Sequence, residues 1–151
     1  MTDATAHRQI LTKAHSWSAV PDAYHCLIFL RFTDGGTGVF TYGHGQMIYA
    51  VINCHWQIQR AGLLTVEYLE SPPYQLFEGF TPAEKNRSKE IGYQFAQVNH
   101  IFEMRENVGT SWWIRRWSLA LDRSPYPDGI DYPYEFPWTF YSSPERLTPE
   151  P

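Results

Sequence analysis

The sequence feature that most constrains the fold is a long alternation of apolar and polar residues between residues 46 and 59. Every second position in this stretch is apolar: Ile48, Ala50, Ile52, Cys54, Trp56 and Ile58. A period of two places these residues on one face of a β-strand. At about 3.3 Å per residue such a strand spans ~45 Å, which exceeds the usual strand length. We therefore expect it to bend or to contain a bulge, as strands of small closed barrels do.

The alternation continues on both sides of this strand and predicts two hairpins. Together the apolar positions indicate four strands, at residues 24–33, 37–42, 46–59 and 63–70. Three-residue loops separate the first two strands and the last two, and each loop ends in a glycine, Gly36 or Gly62. Hairpin loops of this length favour a left-handed residue at that position, which glycine adopts without strain.

Turn length and apolar pattern predict the same register for both hairpins. The first loop pairs Leu30 with Phe40, and the second loop pairs Trp56 with Val66. Each pairing brings two apolar residues together on one face, as a half-buried sheet requires. We therefore expect the two hairpins to share one apolar interior.

Residues 71–91 interrupt the strands and include a predicted helix. Residues 81–84 have the form of a capping box with proline at the first helical position, so a short surface helix is expected over residues 85–90. Two more strands are predicted, at residues 93–105 and 110–121. For residues 5–15 the pattern leaves a helical turn and an extended arm equally open.

From Ser124 onward the chain is rich in both proline and aromatic residues. Proline cannot donate a ladder hydrogen bond, which argues against a central strand, whereas the aromatic rings need cover. We expect an extended strap over residues 125–151, packed on a barrel body at residues 17–124, in one domain spanning residues 1–151. The predicted fold is mainly β, an antiparallel meander that closes into a small barrel with one short helix.

Charge and hydropathy exclude several classes of partner and location. The 12 Lys and Arg residues and the 16 Asp and Glu residues give a net charge of −4, and the excess of acid lies in residues 125–151. No basic stripe is present to displace counterions, so nucleic-acid binding is not expected. The chain lacks an apolar run long enough for a membrane span, and residues 1–15 lack the apolar core of a secretory signal. The sequence therefore predicts a cytoplasmic protein, and it leaves open whether the chain forms a homo-oligomer.

Cys26 and Cys54 each lie next to a histidine, which raises the question of a zinc site. Adjacent residues of a strand point to opposite faces, so each Cys–His pair would need a bulge to converge on one metal. The spacings typical of zinc ligands are also missing. We therefore expect free, buried thiols, no metal and no cofactor.

The last predicted hairpin contains the most informative pair of polar residues. Its apolar positions are even-numbered on the first strand and odd-numbered on the second: Ala96, Val98, Phe102 and Met104, then Trp113, Trp117, Leu119 and Leu121. For these faces to meet, even positions must pair with odd ones, so the loop is expected to contain two or four residues. In that register His100 faces Arg115 within an apolar surface.

A guanidinium in such a surface needs a partner, because burying its charge unpaired is costly. The sequence leaves several partners open: the Glu70 carboxylate, the hydroxyls of Tyr24, Tyr42 or Tyr68, buried water, or the anionic group of a ligand. Alternatively, Arg115 extends to solvent with its stem against tryptophan rings.

The pattern of strands and turns resembles the lipocalin-like (calycin) small β-barrels. The resemblance lies in Trp17 before the first strand, in the meander at residues 32–38, and in Trp56–Gln57–Ile58 followed by Gly62–Leu63–Leu64. It implies a closed barrel around a cavity. In fatty-acid-binding relatives an inward-facing Arg and Tyr near the last strands hold a carboxylate, so the resemblance implies that role for Arg115 with Tyr68 or Tyr24.

These observations predict a protein that binds a small apolar or aromatic molecule with an acidic group inside the barrel. The expected site combines a polar pair with an aromatic lining: His100, Arg115, Tyr24, Tyr42, Tyr68, Trp56, Phe102, Trp113 and Trp117. One alternative is a cofactor-free isomerase, cyclase or hydratase in which His100 moves a proton and Arg115 stabilises negative charge. Another is an interaction module that docks a partner through the acidic, aromatic residues 125–151.

Overall fold

The computed structural model describes residues 4–19, 28–44, 46–103, 111–130, 138–142 and 145–146, and for residues 44, 99–103, 111–115 and 145–146 it describes the backbone alone. The regular elements, in chain order, are α1 (Ala4–Lys13), β1 (Trp17–Ser18), β2 (Phe29–Phe32), β3 (Thr37–His44), β4 (Met47–Arg60), β5 (Leu63–Tyr68), a 3₁₀ turn (Glu84–Asn86), β6 (Ser88–Glu103), β7 (Ser111–Leu121), β8 (Trp138–Ser142) and β9 (Glu145–Arg146).

Eight strands form a closed antiparallel barrel, which confirms the predicted mainly β fold. Strands that are consecutive in the chain pair with each other from β1 to β8, and β8 closes the barrel on β1. β9 pairs with β7 beyond the end of β8. The order is that of a meander, so the wall is built from local, chain-adjacent pairings.

The two N-terminal hairpins have the predicted register. Leu30 pairs with Phe40, and Trp56 pairs with Val66. All four side chains are buried. The glycines that end the two loops have φ values of 85° and 93°, the left-handed conformation expected from the loop length.

β4 is 14 residues long and is bulged near each end. Its pairing with β3 shifts after Tyr42, which leaves Tyr49 as the extra residue. Its pairing with β5 shifts after Ile58, which leaves Gln59 as the extra residue. Bulges increase the bend and twist of a strand, so they let one long strand follow the curved wall, as the sequence predicts.

Helix α1 packs against β2, β4 and β6, and it decides between the two alternatives left open for residues 5–15. Leu11 is 1% exposed, and its carbonyl oxygen accepts a hydrogen bond from Trp17 Nε1 at 3.1 Å. His7 Nδ1 lies 2.7 Å from the Tyr93 hydroxyl oxygen. His7 and Leu11 are four residues apart, so the contacts bury one stripe of the helix.

The helix predicted over residues 85–90 is wrong, since only the 3₁₀ turn Glu84–Asn86 forms there. The turn begins at Glu84 with Ala83 as its N-cap, so Thr81 does not hold the N-cap position that the predicted capping box requires. β6 begins directly after the turn and pairs with β5 through Gly92, which buries Ile91 completely. Cross-strand pairing with the apolar β5 thus outweighs the local helix signal.

Part of the strap predicted over residues 125–151 is a strand of the barrel wall, which the proline content argued against. β8 lies between β7 and β1 in the barrel wall, and its Trp138 and Phe140 are buried. Pro137 and Pro144 lie on either side of β8, and β8 itself contains none. The proline argument therefore applies to the flanks of this segment and not to its centre.

The segment 122–130 covers the barrel near the end of β3 that lies away from α1. Tyr126 is 1% exposed and donates its hydroxyl proton to the Thr41 carbonyl oxygen. The Tyr68 hydroxyl donates to the Pro125 carbonyl oxygen at 2.5 Å. This part of the predicted strap does pack on the body, because two buried tyrosines attach it to β3 and β5.

Candidate functional site

The β6–β7 ladder separates His100 from Arg115, so their predicted pairing is wrong. His100 pairs with Ile114, and Arg115 pairs with Asn99. The register expected from the sequence also pairs Phe102 with Trp113, Val98 with Trp117 and Ala96 with Leu119. The structure pairs these three β6 residues with Trp112, Arg116 and Ser118 instead. Directly paired residues share a face of an antiparallel sheet, so positions 100 and 115 lie on opposite faces.

The register differs because another set of apolar residues on β6 faces the core. This set occupies odd positions: Ile91, Tyr93 and Phe95. Ala96, which belongs to the even set of the prediction, is exposed. Two aromatic rings and an isoleucine bury far more apolar surface than the even set does in this half of the strand. Odd positions of β6 therefore meet odd positions of β7, where Leu119 and Leu121 are buried as predicted.

Several predicted site residues have side chains outside the described part of the structure: Tyr24, His100, Phe102, Trp113 and Arg115. Their roles stay predictions. The backbone register adds one fact about Arg115, because β9 places Glu145 directly opposite it. An acidic residue thus occupies the paired position opposite the arginine for which the sequence left several partners open.

Trp56 and Tyr68 are two of the predicted ligand-binding residues. Their polar side-chain atoms form hydrogen bonds within the protein. Trp56 Nε1 donates to the Thr37 carbonyl oxygen at 2.8 Å, and the Tyr68 hydroxyl donates to the Pro125 carbonyl oxygen at 2.5 Å. Both side chains are at most 3% exposed. These bonds hold the rings in the wall, and a guest would have to compete with them for the same atoms.

β7 contains a buried arginine that the sequence analysis did not single out. Arg116 is 7% exposed and is the one buried charged residue among those whose side chains the structure describes. The shift in register brings Arg116, and not the predicted Trp117, opposite Val98. Trp117 packs edge-on against Phe95, with ring centroids 6.1 Å apart.

An open cleft lies beside the segment 122–130, with a volume of about 470 Å³. That volume is within the range of small-molecule sites. Its lining comes from β3, β4, the loop 71–80 and the segment 122–130: Tyr42, Tyr49, Leu76, Phe77, Glu78, Gly79, Gly129 and Ile130. Tyr42 is the one member of this lining that the sequence analysis placed in a site.

A series of aromatic rings connects the core to this cleft. Ring centroids are 6.4 Å apart for Phe40 and Tyr126, 6.0 Å for Tyr126 and Tyr42, and 5.8 Å for Tyr42 and Tyr49. Phe40 is fully buried, whereas Tyr49 is 42% exposed. Tilted and edge-on ring contacts of this kind are favourable, so they hold the floor of the cleft in place.

The loop 71–80 forms the opposite wall and is closed by two backbone bridges. Ser71 and Phe80 exchange hydrogen bonds of 2.7 and 2.8 Å, and Tyr74 and Phe77 exchange hydrogen bonds of 3.0 and 2.7 Å. Phe77 is 6% exposed. The loop is therefore a small hairpin whose far end is anchored on the core.

Gln75 at the tip of this loop has a φ of 50°, and it is the one non-glycine residue with positive φ in the described chain. The left-handed conformation costs a residue with a Cβ on the order of 1 kcal/mol. Gln75 Oε1 accepts a hydrogen bond from the Ile48 N–H at 2.7 Å, which attaches the loop to β4. Backbone strain of this kind is found at ligand clamps.

The large apolar side chains that the described residues leave exposed all lie near this attachment. They are Met47, Tyr49, Tyr74 and Leu76, which are 40%, 42%, 52% and 53% exposed. Met47 and Tyr49 flank Ile48, and Tyr74 and Leu76 flank Gln75, so the bond from Ile48 to Gln75 brings the two pairs together. We call these four residues the apolar rim. Such clustering, unlike single exposed residues, marks binding surfaces.

The apolar rim does not follow from the strand pattern, because residues 71–91 interrupt that pattern and are expected to lie between strands. The signal was a run of large apolar residues, Tyr74, Leu76, Phe77 and Phe80, in a loop where exposure is costly. A loop has no period, however, so the pattern could not show which strand these residues approach.

Among the side chains that the structure describes, no three His, Cys, Asp or Glu residues are grouped as a metal site. The described helix is too short and too polar to cross a bilayer. Comparison of the chain with protein-family models, curated proteins and solved structures finds no match. The lipocalin-like resemblance therefore stays a prediction, and function must be argued from the cleft itself.

Proposed function

We propose that this protein binds a small apolar or aromatic molecule in the cleft between β4 and the loop 71–80. The observation that supports this function is the apolar rim, because two of its four exposed residues, Tyr49 and Leu76, line a formed cleft. A soluble chain gains nothing from exposing four large apolar side chains together unless something covers them. A ligand of this chemistry would cover them.

Contacts with the apolar rim alone give weak binding, so contacts with the cleft floor would have to supply the remaining binding free energy. Covering a side chain that is about half exposed contributes ~1 kcal/mol. The two rim residues that line the cleft, Tyr49 and Leu76, give ~2 kcal/mol, which corresponds to a dissociation constant of tens of millimolar. Stacking on Tyr42 and Tyr49 would add to this, and the hydrogen bond from Ile48 to Gln75 keeps the ordering cost of the loop low.

The acidic group predicted for the ligand is not retained in this proposal. That prediction depended on His100 and Arg115 facing each other in a surface without an acid. The register separates the two positions and places Glu145 opposite Arg115. An anionic ligand is therefore no longer needed to account for the arginine.

The two alternatives from the sequence have less support than binding in the cleft. The proposed isomerase, cyclase or hydratase needs His100 and Arg115 on one face, and the ladder places them on two. Docking through residues 125–151 needs that tail to be free, whereas Tyr126 and β8 are built into the barrel. For location we propose the cytoplasm, supported by the free, buried thiol of Cys54.

Binding of a neutral apolar dye tests the proposal, and Nile red is a suitable probe. We expect a saturable rise in its fluorescence with the purified protein. Leu76→Ser should weaken binding by roughly fivefold, because it replaces an apolar contact worth ~1 kcal/mol with a polar group. Leu76 is 53% exposed, so this change should leave the unfolding temperature nearly unchanged.

Val39→Ser is the matched control, since Val39 is half-buried on β3 and outside the cleft lining. Equal dye binding by Leu76→Ser and the wild-type protein would overturn the proposal. So would a mass, measured by light scattering, that doubles with concentration in the wild type and stays monomeric in Leu76→Ser. In that case a second copy of the chain would cover the apolar rim.

A further inference from the structure

The charge of the cleft narrows the chemistry of what enters it. Among the eight lining residues, Glu78 is the only one with a charged side chain. Asp128 is the neighbour of the lining residue Gly129, but its carboxylate is paired with Lys89 Nζ at 3.2 Å. Glu78 takes part in none of the ion pairs of the described side chains, which are Arg8–Asp34, Lys89–Asp128 and Arg123–Asp122. The cleft therefore presents a carboxylate that is available to a ligand.

The aromatic rings of the lining favour the same sign of charge. Tyr42 and Tyr49 lie 5.8 Å apart with their planes tilted by 39°, and Phe77 belongs to the same lining. The face of an aromatic ring is negative and attracts a cation within about 6 Å of the ring centre. Aromatic faces combined with a carboxylate attract alkylammonium groups, whereas an anionic ligand would be repelled by Glu78.

We propose that the ligand of this cleft is a cationic amine. Its ammonium group lies against Glu78 and the faces of Tyr42 and Tyr49. Its hydrocarbon part lies against Leu76 and Ile130. This inference rests on the proposed function, because it assigns a ligand class to the same cleft. The ligand is a small molecule, since the cleft has a volume of about 470 Å³.

Three probes with one hydrocarbon chain and different charges test the inference: octyltrimethylammonium, 1-octanol and octanoate. Calorimetric titration with the full chain should give the tightest binding for the cation, about fivefold tighter than octanol. Octanoate should bind more weakly than octanol. Added sodium chloride should reduce the advantage of the cation, because salt screens its attraction to Glu78.

Two variants separate charge from apolar area. Glu78→Gln should abolish most of the preference for the cation over octanol, measured as the ratio of the two affinities in the same variant. Tyr49→Leu keeps the apolar contact and removes the ring face, so it should reduce the ratio of cation affinity to octanol affinity about twofold to fivefold. Glu84→Gln is the matched control, since Glu84 is an exposed glutamate on the 3₁₀ turn and outside the cleft lining.

The outcomes distinguish this inference from the proposed function. If octanol binds and Leu76→Ser weakens it, but the cation has no advantage, the amine inference is wrong and the proposed function stands. A cation preference that survives Glu78→Gln also overturns the inference. If none of the three probes binds, both proposals fail.

Discussion

Gly38 on β3 lies where neighbouring strands leave no space for a side chain. A Cβ at this position would lie 3.0 Å from the Arg31 carbonyl oxygen and 3.0 Å from Cys54 Sγ. Gly38 pairs with both Phe32 and Cys54, so the crowding falls at the junction of β2, β3 and β4. The absence of a side chain is therefore what lets three strands of the barrel wall approach closely here.

We predict that Gly38→Ala lowers the free energy of unfolding by about 1–3 kcal/mol, because the added methyl group forces the wall apart. Urea denaturation followed by tryptophan fluorescence measures this change. Gly35→Ala is the control, since nothing lies within 4 Å of a Cβ at Gly35, and it should change stability by less than about 0.5 kcal/mol. Equal stability of the two variants would show that β3 can shift without cost.

Tyr42 shows how far residue-level prediction of the site extends. The alternation of β3 places it correctly with the buried face, and the structure finds it in the cleft lining. Tyr49 is the extra residue of a bulge, and Leu76 lies in a loop. Neither position follows from a period of two, so neither could be assigned to a site from sequence.

At the scale of elements, β6 is the strand for which the sequence pattern assigns the wrong face to the barrel core. Two apolar sets compete along it, and the larger residues at odd positions win near its start. The observed register of β6 against β7 differs by one residue from the predicted register, so each β6 side chain lies on the opposite face from the one predicted. That single shift separates His100 from Arg115 and removes the predicted polar pair.

We predict that the double variant Ala96→Cys with Ser118→Cys forms a disulfide under mild oxidation, because these residues pair directly across the β6–β7 ladder. Mass spectrometry after proteolysis detects the link. The control joins Ala96→Cys to Ala120→Cys, which lies two residues further along the same face and too far away to bond. Failure of the first pair to link would favour the register derived from the sequence.

At the scale of the whole molecule, the closed barrel takes three ionisable groups out of water. Burial raises the pKa of the Cys54 thiol from 9.0 to about 12. Burial also raises the pKa of Tyr68, and the nearby Cys54 and Asp128 raise it further. The pKa of Tyr93 is raised by burial and partly lowered by a hydrogen bond with the Gly62 backbone. All three groups are thus held neutral by the fold.

We predict that stability falls as the pH rises above about 9. Below that pH the three groups are neutral in both the folded and the unfolded chain, so the folded state bears no penalty. Above it, the unfolded chain loses protons that the folded chain keeps, and each group lowers the free energy of unfolding by up to ~1.4 kcal/mol per pH unit. For Cys54 this loss extends from pH 9.0 to about 12.

Urea midpoints measured between pH 7 and pH 11 test this prediction. Cys54→Ala removes one of the groups, so its stability should fall less steeply over this range than that of the wild type, whatever its stability at pH 7. Identical slopes for the two proteins would mean that the Cys54 thiol is not held neutral by the barrel.

The sequence by itself determined the class of the fold, the two N-terminal hairpins and the bend in the long strand. These features depend on residues close together in the chain, namely a period of two and a glycine at a fixed loop position, as at Gly36 and Gly62. Only the tertiary structure decided the register of β6 against β7, the entry of β8 into the barrel and the cleft at Tyr49 and Leu76. In each of these cases the outcome depends on which distant surfaces bury the most apolar area together, and no local pattern contains that comparison.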